Sequence, residues 1–356
     1  MPSRISVAVW SPDWRARTGQ GIVTERVVEH QEGVNWYIAN YGDRGLASLM
    51  SVVPAVLRLY FAIVFRGVRT AYLVTSRSNL GFIRDIPALL LPFFGVRTLV
   101  HVHGSDFPAL LKRSPLARRL YAQCEVIVPS KHLIPLVEEI IHCRPRLCEN
   151  FAPTGDVSEL PEDAQESGIQ RIVWNSNIMA SKGVFDVAAA AALARRSLPK
   201  LKLLLLGRPM GDEELSDAAA TEKLEELKGH DWVEYIGPVP SSMATAYTGL
   251  ADLYLLPSRY SSECQPLALI QAMCLGKPII VADTPALRAT VGEYPAKLVA
   301  APVPERLAQA IEEQFLGSSA ASMTDEEWAQ AALDAKQRFS EDRFDLEMRS
   351  ILESTH

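Results

Sequence analysis

The chain has 356 residues, which is more than one hydrophobic core ordinarily holds, so we expect two domains. Its composition, 48% hydrophobic and 22% charged, is that of a globular protein and excludes a disordered, collagen-like or coiled-coil chain. The net charge of −6 combines +7 over residues 1–150 (18 Lys and Arg against 11 Asp and Glu) with −13 over the remainder, so the first half either meets an anionic surface or simply carries more solvated basic charge.

Short apolar strands alternate with longer helical segments along the chain. The predicted strands of the first half are Ser6–Trp10, Ala71–Thr75, Thr98–Val102 and Val126–Val128. Those of the second half are Arg171–Trp174, Leu201–Leu206, Val233–Ile236, Leu253–Leu256 and Pro278–Val281. Continuous apolar runs such as Leu203–Leu206 are typical of strands buried on both faces of a parallel sheet. The alternation predicts an α/β protein of two doubly wound, Rossmann-like domains facing a central cleft.

A polar, acidic stretch from Pro153 to Asp163, interrupted by proline, is typical of an inter-domain linker. It predicts an N-terminal domain over residues 1–155 and a C-terminal domain over residues 168–338.

The longest apolar stretch, Ala47 to Val68, contains Pro54, Arg58 and Arg66, and charges are costly in a bilayer core. We therefore expect a buried or half-buried helix there rather than a membrane span. No signal-peptide pattern precedes the first strand, which favours a cytoplasmic protein.

Two segments of the first half place polar or flexible residues after predicted strands, where doubly wound domains bind ligands. Gly19 and Gly21 allow close backbone approach to an anion at the next helix N-terminus, although a plain tight turn explains them as well. His103 lies one residue before the turn at Gly104 and is a functional candidate, whereas His101 is expected in the core. No third metal ligand offers itself, and the five cysteines include no Cys-x-x-Cys pair.

The second half holds polar side chains at predicted helix starts. Lys182 would begin the helix after the strand Arg171–Trp174, a position that suits a diphosphate. Glu263 and Gln271 are eight residues apart, so a helix opening near Pro266 directs both side chains toward one ligand. The first amides of that helix, which would face a phosphate, belong to Leu267 and Ala268.

These motifs together resemble the retaining glycosyltransferases of family 4, which have the GT-B fold. The resemblance rests on the glycine-rich first loop, His103-Gly104-Ser105-Asp106, Lys182-Gly183 and the block Pro257-Ser258-x4-Glu263-x7-Gln271. Leu206-Gly207 and Tyr235-Ile236-Gly237 match family positions near the nucleotide base. The closing residues 340–356 look like the family's final helix, which often packs back on the first domain.

The resemblance implies that the C-terminal domain binds a nucleotide-sugar donor and that the N-terminal domain binds the acceptor. Lys182 would neutralise the donor diphosphate, Glu263 would hold hydroxyls of the transferred sugar, and His103 would contact that sugar across the cleft. Gln271 would meet the ribose. The other implied donor contacts are Gly19, Gly21, Asn177, Gly207, Ile236, Gly237, Leu267 and Ala268. The acceptor contacts would be Arg77, Arg84 and Asp106.

Three positions depart from the family pattern. Gln271 stands where a second glutamate is usual, Asn177 replaces an arginine, and Pro266 replaces a glycine. The predicted donor site thereby has one carboxylate, one cation and one amide donor fewer than usual.

We therefore expect a retaining glycosyltransferase that moves a sugar from a nucleotide-sugar to a glycan or a polyprenyl-diphosphate-linked oligosaccharide. The resemblance points to bacterial surface polysaccharide synthesis (lipopolysaccharide, O-antigen or exopolysaccharide), at the cytoplasmic face of the inner membrane. No metal, other cofactor or nucleic acid is expected. The densest basic cluster, which either faces the membrane or is solvated, is Lys112, Arg113, Arg118 and Arg119. Two alternatives stay open: a catalytically weak sugar-nucleotide-binding regulatory subunit, and another GT-B enzyme such as a sugar-nucleotide epimerase.

Overall fold

The structure, a computed structural model, describes residues 5–16, 18–42, 45–76, 78–153, 168–317 and 323–354. The chain divides into two compact units, Met1–Asn150 with Asp342–His356, and Phe151–Glu341. Residues 154–167, which include the stretch between the two predicted domains, lie outside the described residues.

The first unit is built on a parallel six-stranded sheet. Its strands are β1 (Ile5–Pro12), β2 (Val34–Tyr41), β3 (Thr70–Val74), β4 (Arg97–His101), β5 (Glu125–Val128) and β6 (Arg146–Leu147), in the order β2-β1-β3-β4-β5-β6. Two of them, β2 and β6, were missed by the sequence analysis. Most of β2 is only partly buried at the sheet edge, and β6 has two residues, so neither shows a continuous apolar run.

In the described part of this unit, six α-helices connect these strands. They are α1 (Gly19–His30), α2 (Gly45–Phe65), α3 (Asn79–Leu89), α4 (Phe107–Arg113), α5 (Pro115–Tyr121) and α6 (Leu133–Ile141). Helices α1, α3 and α5 begin after Thr18, Ser78 and Ser114, whose hydroxyls accept a hydrogen bond from a first-turn N–H. Such N-caps stabilise a helix start by about 1 kcal/mol.

The second unit repeats the architecture. Its strands are β7 (Gln170–Asn175), β8 (Leu201–Leu206), β9 (Val233–Gly237), β10 (Leu253–Leu256), β11 (Ile279–Ala282) and β12 (Ala296–Val299), all parallel and in the order β12-β11-β10-β7-β8-β9. Its helices are α7 (Val184–Ala194), α8 (Asp217–Lys228), α9 (Ser241–Gly249), α10 (Leu267–Cys274), α11 (Pro285–Val291), α12 (Pro304–Leu316) and α13 (Asp325–Arg338). The predicted doubly wound α/β architecture is thus confirmed in both units.

The central strands of the second sheet form its core. Leu203, Leu204, Leu205 and Leu206 are each at most 2% exposed, as the apolar run predicted. Burying a side chain of this size stabilises the fold by about 1.5–3 kcal/mol. Their packing therefore fixes the sheet whose carboxyl edge carries the polar residues described below.

Helix α2 departs in part from the expectation for the stretch Ala47 to Val68. One side is buried, as expected, with Ala55, Leu59 and Ala62 at most 2% exposed. The opposite side is also apolar but faces solvent: Met50 is 79% exposed and Phe61 50% exposed. Within the described residues, no helix is both long and apolar enough to cross a bilayer.

The last helix, α14 (Glu341–Glu353), packs on the first unit. Phe344, Met348, Ile351 and Leu352 are its buried face, at the i, i+4, i+7 and i+8 spacing of a helix. Arg97 of β4 donates to the carbonyl oxygens of Ile351 (2.7 Å) and Leu352 (3.0 Å). A cation is favourable at these terminal carbonyls, which carry the negative end of the helix dipole.

We expect Met348→Ala to lower the free energy of unfolding by about 2–5 kcal/mol, because it leaves a cavity beneath α14. Met348 is fully buried, whereas Leu346 on the same helix is 68% exposed. The matched Leu346→Ala variant should stay within about 0.5 kcal/mol of the wild type. Urea denaturation followed by circular dichroism measures both variants, and equal losses would contradict the packing of α14 on the first unit.

Candidate active site

The carboxyl edge of the second sheet brings two predicted site segments together. Strands β7 and β10 are neighbours, with Ile172 opposite Leu253 and Val173 opposite Tyr254. The loops that follow them, residues 176–183 and 257–266, therefore start side by side. This is the edge at which parallel α/β sheets bind their ligands.

Lys182 and Glu263 form an ion pair across these two loops. Lys182 Nζ lies 3.3 Å from Glu263 Oε2, with side-chain exposures of 16% and 10%. Ser258 Oγ donates to the same carboxylate oxygen at 3.0 Å, and Lys182 Nζ donates to Ser176 Oγ at 3.2 Å. The ring of Tyr260 lies 5.9 Å from the ammonium. A cation and a carboxylate, both mostly buried, thus stand at the sheet edge.

Gly183 allows the close approach of the two loops. Its φ of +89° lies in the left-handed region, which L side chains rarely adopt. A Cβ at this position would lie 2.7 Å from Pro257 Cγ and 2.9 Å from Pro257 O. Steric space therefore explains why a glycine follows Lys182: without a side chain at residue 183, Lys182 can lie against the end of β10.

Asp212 holds the loop of residues 176–183 through hydrogen bonds to Ser181. The carboxylate accepts from Ser181 N (2.7 Å) and Ser181 Oγ (2.8 Å), and from the backbone N–H groups of Glu214 and Leu215. Burial alone would raise the pKa of Asp212, but these backbone hydrogen bonds outweigh it and lower the pKa below the usual value. Arg259 also holds this loop: its backbone N–H donates to Ser181 O at 2.8 Å. Its guanidinium donates to the carboxylate of Glu214.

Gln271 uses both atoms of its side-chain amide within the protein. Asn175 Nδ2 donates to Gln271 Oε1 at 2.8 Å and to Thr248 Oγ1 at 3.2 Å, and Gln271 Nε2 donates to Thr245 Oγ1. Gln271 itself is 6% exposed. The predicted ribose contact is thus tied to a neutral network between β7, α9 and α10.

The predicted base-side residues lie at the ends of β8 and β9. Gly207 has a φ of +120°, and a Cβ there would lie 2.1 Å from Ser176 O. Gly207 N donates to Gly237 O at 2.9 Å, and Tyr235 Oη donates to Gly207 O at 3.0 Å. Ile236 lies next to Gly237 in β9. Asn177 contacts Met210 Sδ through its amide nitrogen at 3.9 Å.

Helix α10 begins after Pro266, which provides no side-chain cap. Its first amides, at Leu267 and Ala268, have no partner from the preceding turn, as in any helix N-terminus. They lie at the carboxyl edge of the sheet, in the segment that follows Glu263. These are the two amides that the sequence predicts to face a phosphate.

Two histidines of the first unit, His101 and His103, lie at the end of β4. His101 is fully buried, and its Nδ1 is 2.7 Å from Tyr72 Oη. Burial lowers the pKa of His101 to about 3, so the ring is neutral at physiological pH. The half-buried His103 lies with its ring centroid 4.3 Å from that of His101. His132, which the sequence analysis missed, contacts Ser105 Oγ (3.0 Å) and Ser130 Oγ (2.8 Å) and so orders the loop after β4.

The other residues of the first unit that were predicted to contact donor or acceptor lie in the following surroundings. A Cβ at Gly21 would lie 2.5 Å from Trp14 O, so this glycine is required for packing, and Gly19 is the first residue of α1. Arg84 Nε donates to the buried Asp85 at 3.2 Å, and its guanidinium carbon lies 3.9 Å from the Tyr41 ring centroid. Asp106 precedes α4 without capping it through its side chain. Arg77 lies outside the described residues.

Several residues of this edge were not predicted, namely Asn175, Ser176, Asp212, Thr245, Thr248, Ser258 and Arg259. Asn175, Ser176 and Ser258 end or closely follow strands that were predicted, so the rule that ligands bind at carboxyl ends could have found them. The threonines of α9 give no such signal. Among the described residues, no three His, Cys, Asp or Glu side chains lie close enough together to hold a metal ion.

Residues 165–332 match the family model described as glycosyl transferases group 1. Among solved structures, the chain is similar to sucrose-phosphate synthase from Thermosynechococcus elongatus (18% identity, TM-score 0.72, 98% of each chain covered). It is also similar to Anabaena HepE in complex with UDP-glucose (15% identity, TM-score 0.74, 99% of this chain and 100% of that chain). A third similar structure is the lipopolysaccharide outer core galactosyltransferase WaaB (12% identity, TM-score 0.61, 97% of this chain and 98% of that chain). No curated protein matches the chain by sequence.

The fold is therefore GT-B, the architecture of two Rossmann-like units that these structures share. The match of residues 165–332 to the group 1 glycosyl transferase model and this shared fold confirm the resemblance seen in the sequence.

We expect Gly183→Ala to lower the free energy of unfolding by about 1–3 kcal/mol, because the new Cβ meets Pro257 and the backbone is left-handed. Gly249→Ala is the matched control, since a Cβ at Gly249 meets nothing within 4 Å and its φ is not positive. Urea titration of both variants measures the difference. A Gly183→Ala variant as stable as the control would show that the loop after β7 does not need this close approach.

Proposed function

We propose that the protein is a retaining, metal-independent glycosyltransferase that moves a sugar from a nucleotide-sugar donor to a glycan or lipid-linked oligosaccharide. The observation that carries the proposal is the Lys182–Glu263 pair at the carboxyl edge of the second sheet. A nucleotide-sugar has a diphosphate and a ring of hydroxyls a short distance apart. The pair presents a cation for the first and a carboxylate for the second.

Stabilisation of the leaving diphosphate is the main task of this site. When the bond between the sugar C1 and the phosphate oxygen breaks, negative charge grows on that oxygen. Lys182 Nζ and the amides of Leu267 and Ala268 are suited to stabilise it, and they would do the work that a divalent metal does in other enzymes. In the proposed front-face displacement, the same oxygen takes the proton of the acceptor hydroxyl, so no enzyme nucleophile is needed.

The sugar ring is proposed to lie over Glu263. An ionised carboxylate accepts hydrogen bonds from two hydroxyls and holds them more strongly than a neutral acceptor does. His103, near the turn after β4, is proposed to contact the transferred sugar. Arg84, Asp106 and Arg77 are proposed to contact the acceptor.

The similar structures support the choice of donor and pathway. HepE was solved with UDP-glucose, which supports a nucleotide-sugar donor. WaaB is a lipopolysaccharide outer core galactosyltransferase, which supports an acceptor in bacterial surface polysaccharide synthesis. We propose that transfer takes place at the cytoplasmic face of the inner membrane, where a lipid-linked acceptor would be reached.

Calorimetry of the purified protein against UDP-, GDP-, dTDP- and ADP-sugars is expected to find one donor that binds equally well with Mg²⁺ or with EDTA. Lys182→Ala should weaken its binding at least about tenfold, because a charge-assisted contact to phosphate contributes about 1.5–3 kcal/mol. Glu263→Ala should lower transfer to an oligosaccharide acceptor about 100-fold or more.

The matched control is Lys200→Ala, which removes an exposed lysine that immediately precedes β8, at the opposite edge of the same sheet. It should bind the donor as the wild type does. Wild-type binding by Lys182→Ala, or dependence on Mg²⁺, would refute the diphosphate assignment. NMR of the product should show the anomeric configuration of the donor, and an inverted product would refute retention.

A second candidate, a sugar-nucleotide-binding subunit of low activity, is favoured by the surroundings of Gln271. Both of its amide atoms are already engaged by Asn175 and Thr245. One remaining lone pair and one N–H are left for a ribose, without charge assistance. Donor binding without turnover would distinguish this candidate from the transferase.

Gln271→Glu tests that network. The variant should fold, since Asn175 Nδ2 can still donate to a carboxylate and the hydroxyl of Thr245 can turn to donate as well. A carboxylate has lone pairs left for ribose hydroxyls, so donor affinity should rise by about fivefold or more. Gln123→Glu, an exposed position in the first unit, carries the same charge change as a control. Unchanged or weaker binding by Gln271→Glu alone would show that residue 271 does not face the ribose.

A further inference from the structure

Helix α2 presents an exposed apolar stripe that we call the α2 face. It consists of Met50, Val53, Leu57, Phe61, Val64 and Phe65, which are 50–79% exposed. Spacings of three or four residues from Met50 to Val64, with Phe65 next to Val64, place them within an arc of about 120° on the helix. From Met50 to Phe65 the stripe is about 23 Å long, so it is a continuous surface rather than scattered exposed side chains.

The other side of α2 is already used by the core. Ala55, Leu59, Ala62 and Ile63 are at most 7% exposed and belong to the interior of the first unit. The helix is therefore apolar on two sides, whereas a surface helix of a globular protein is normally polar on its outer side. Contiguous apolar surface of this kind marks an interaction site.

Helix α3 extends this surface. Tyr60 Oη donates to Pro87 O at 3.0 Å, which ties α2 to α3. On α3, Leu80 is 80% exposed and Ile83 is 60% exposed. The turn that follows adds Phe93 and Phe94, exposed at 57% and 63%. Exposed phenylalanines and aliphatic residues thus continue beyond α2.

The charged residues of α2 and of the sequence that follows it are all of one sign as far as Arg84. From Gly45 to Arg84 the sequence contains five arginines and neither Asp nor Glu, and the next acid, Asp85, is fully buried. Arg58 is exposed at the margin of the stripe, and the guanidinium carbon of Arg66 lies 5.9 Å from the Phe61 ring centroid. The basic cluster of α4 and α5 also adjoins this surface, because Arg113 Nη2 donates to Asn79 Oδ1 at the start of α3 (2.9 Å).

We propose that the α2 face binds an anionic lipid bilayer, with α2 parallel to the membrane plane. Its leucine and phenylalanines would enter the boundary between headgroups and acyl chains, and Arg58 and Arg66 would contact lipid phosphates. The core-facing side of α2 prevents the helix from crossing the membrane. The assignment deepens the proposed function, because it brings the first unit to the surface that holds a lipid-linked acceptor.

The charge pattern favours lipid over a second copy of the chain. In a symmetric dimer the same patch occurs on both partners, so Arg58 and Arg66 of one copy would lie near those of the other. Helix α2 itself has no Asp or Glu to pair with them, so that arrangement is repulsive. A bilayer containing phosphatidylglycerol offers apolar depth and negative charge together.

Vesicle co-sedimentation of the full chain tests the proposal without donor or acceptor. The wild type should bind vesicles of equal parts phosphatidylglycerol and phosphatidylcholine. A Leu57→Glu/Phe61→Glu variant should bind at least about tenfold more weakly, because two apolar side chains are replaced by charges that lipid phosphates repel. Leu346→Glu, which changes a 68% exposed leucine on α14, should bind as the wild type does. The milder Leu57→Gln/Phe61→Gln variant serves if the charged variant does not fold.

Replacing Arg58 and Arg66 by serine should weaken binding to the anionic vesicles about fivefold for each arginine, with little effect on pure phosphatidylcholine. The proposal is overturned if the wild type does not bind vesicles or if the Leu57/Phe61 variants bind as well as the wild type. It is also overturned if sedimentation shows a wild-type dimer that these variants dissociate. Loss of donor binding with intact vesicle binding would instead refute the proposed function alone.

Discussion

The pairing of β7 with β10 is the constraint on which the candidate site depends. Because these parallel strands are neighbours, the loops leaving their carboxyl ends compete for the same space. Gly183 has no side chain, so the loop after β7 can lie directly against Pro257. Lys182 and Glu263 reach 3.3 Å from each other only because the backbones come that close. The ion pair is thus a consequence of strand order together with a single glycine.

The site is charged before the start of α10 and neutral further along this helix. Before its first turn, Glu263 and Lys182 hold opposite charges that are mostly buried, and hydroxyls of Ser176 and Ser258 complete their hydrogen bonds. Partly buried ion pairs add little net stability, since desolvation offsets much of the attraction. Further along the helix, Gln271 takes part in a wholly neutral network. The charged end is therefore the part of the site that we propose binds the diphosphate, whereas the neutral end links β7, α9 and α10 through Gln271.

The sequence predicted the parts of the fold whose cause is local. Leu201–Leu206 and Leu253–Leu256 have continuous apolar runs because both faces of the strand are buried, and both were predicted to the residue. The edge strand β12, Ala296–Val299, was missed, since it includes the exposed Lys297 and has only one neighbouring strand. Lys182, Glu263 and Gln271 were found because the motif spacing marks them. The contacts of Gln271 with Thr245 were not, because they depend on where α9 lies relative to α10.

Helix α2 shows where a periodic pattern alone is insufficient. The apolar content of Ala47 to Val68 correctly indicated a helix, and its buried side follows from the need to cover the sheet. Periodicity cannot say what covers the other side, because a core, a lipid and a partner protein all require the same apolar residues. The deciding information is the absence of acidic residues between Gly45 and Arg84. A protein core would give Arg58 and Arg66, beside the stripe, no opposite charge from α2 itself, and in a symmetric dimer they would lie near the same arginines of the other copy. Negatively charged lipid is the environment in which the stripe and the arginines are stabilised together.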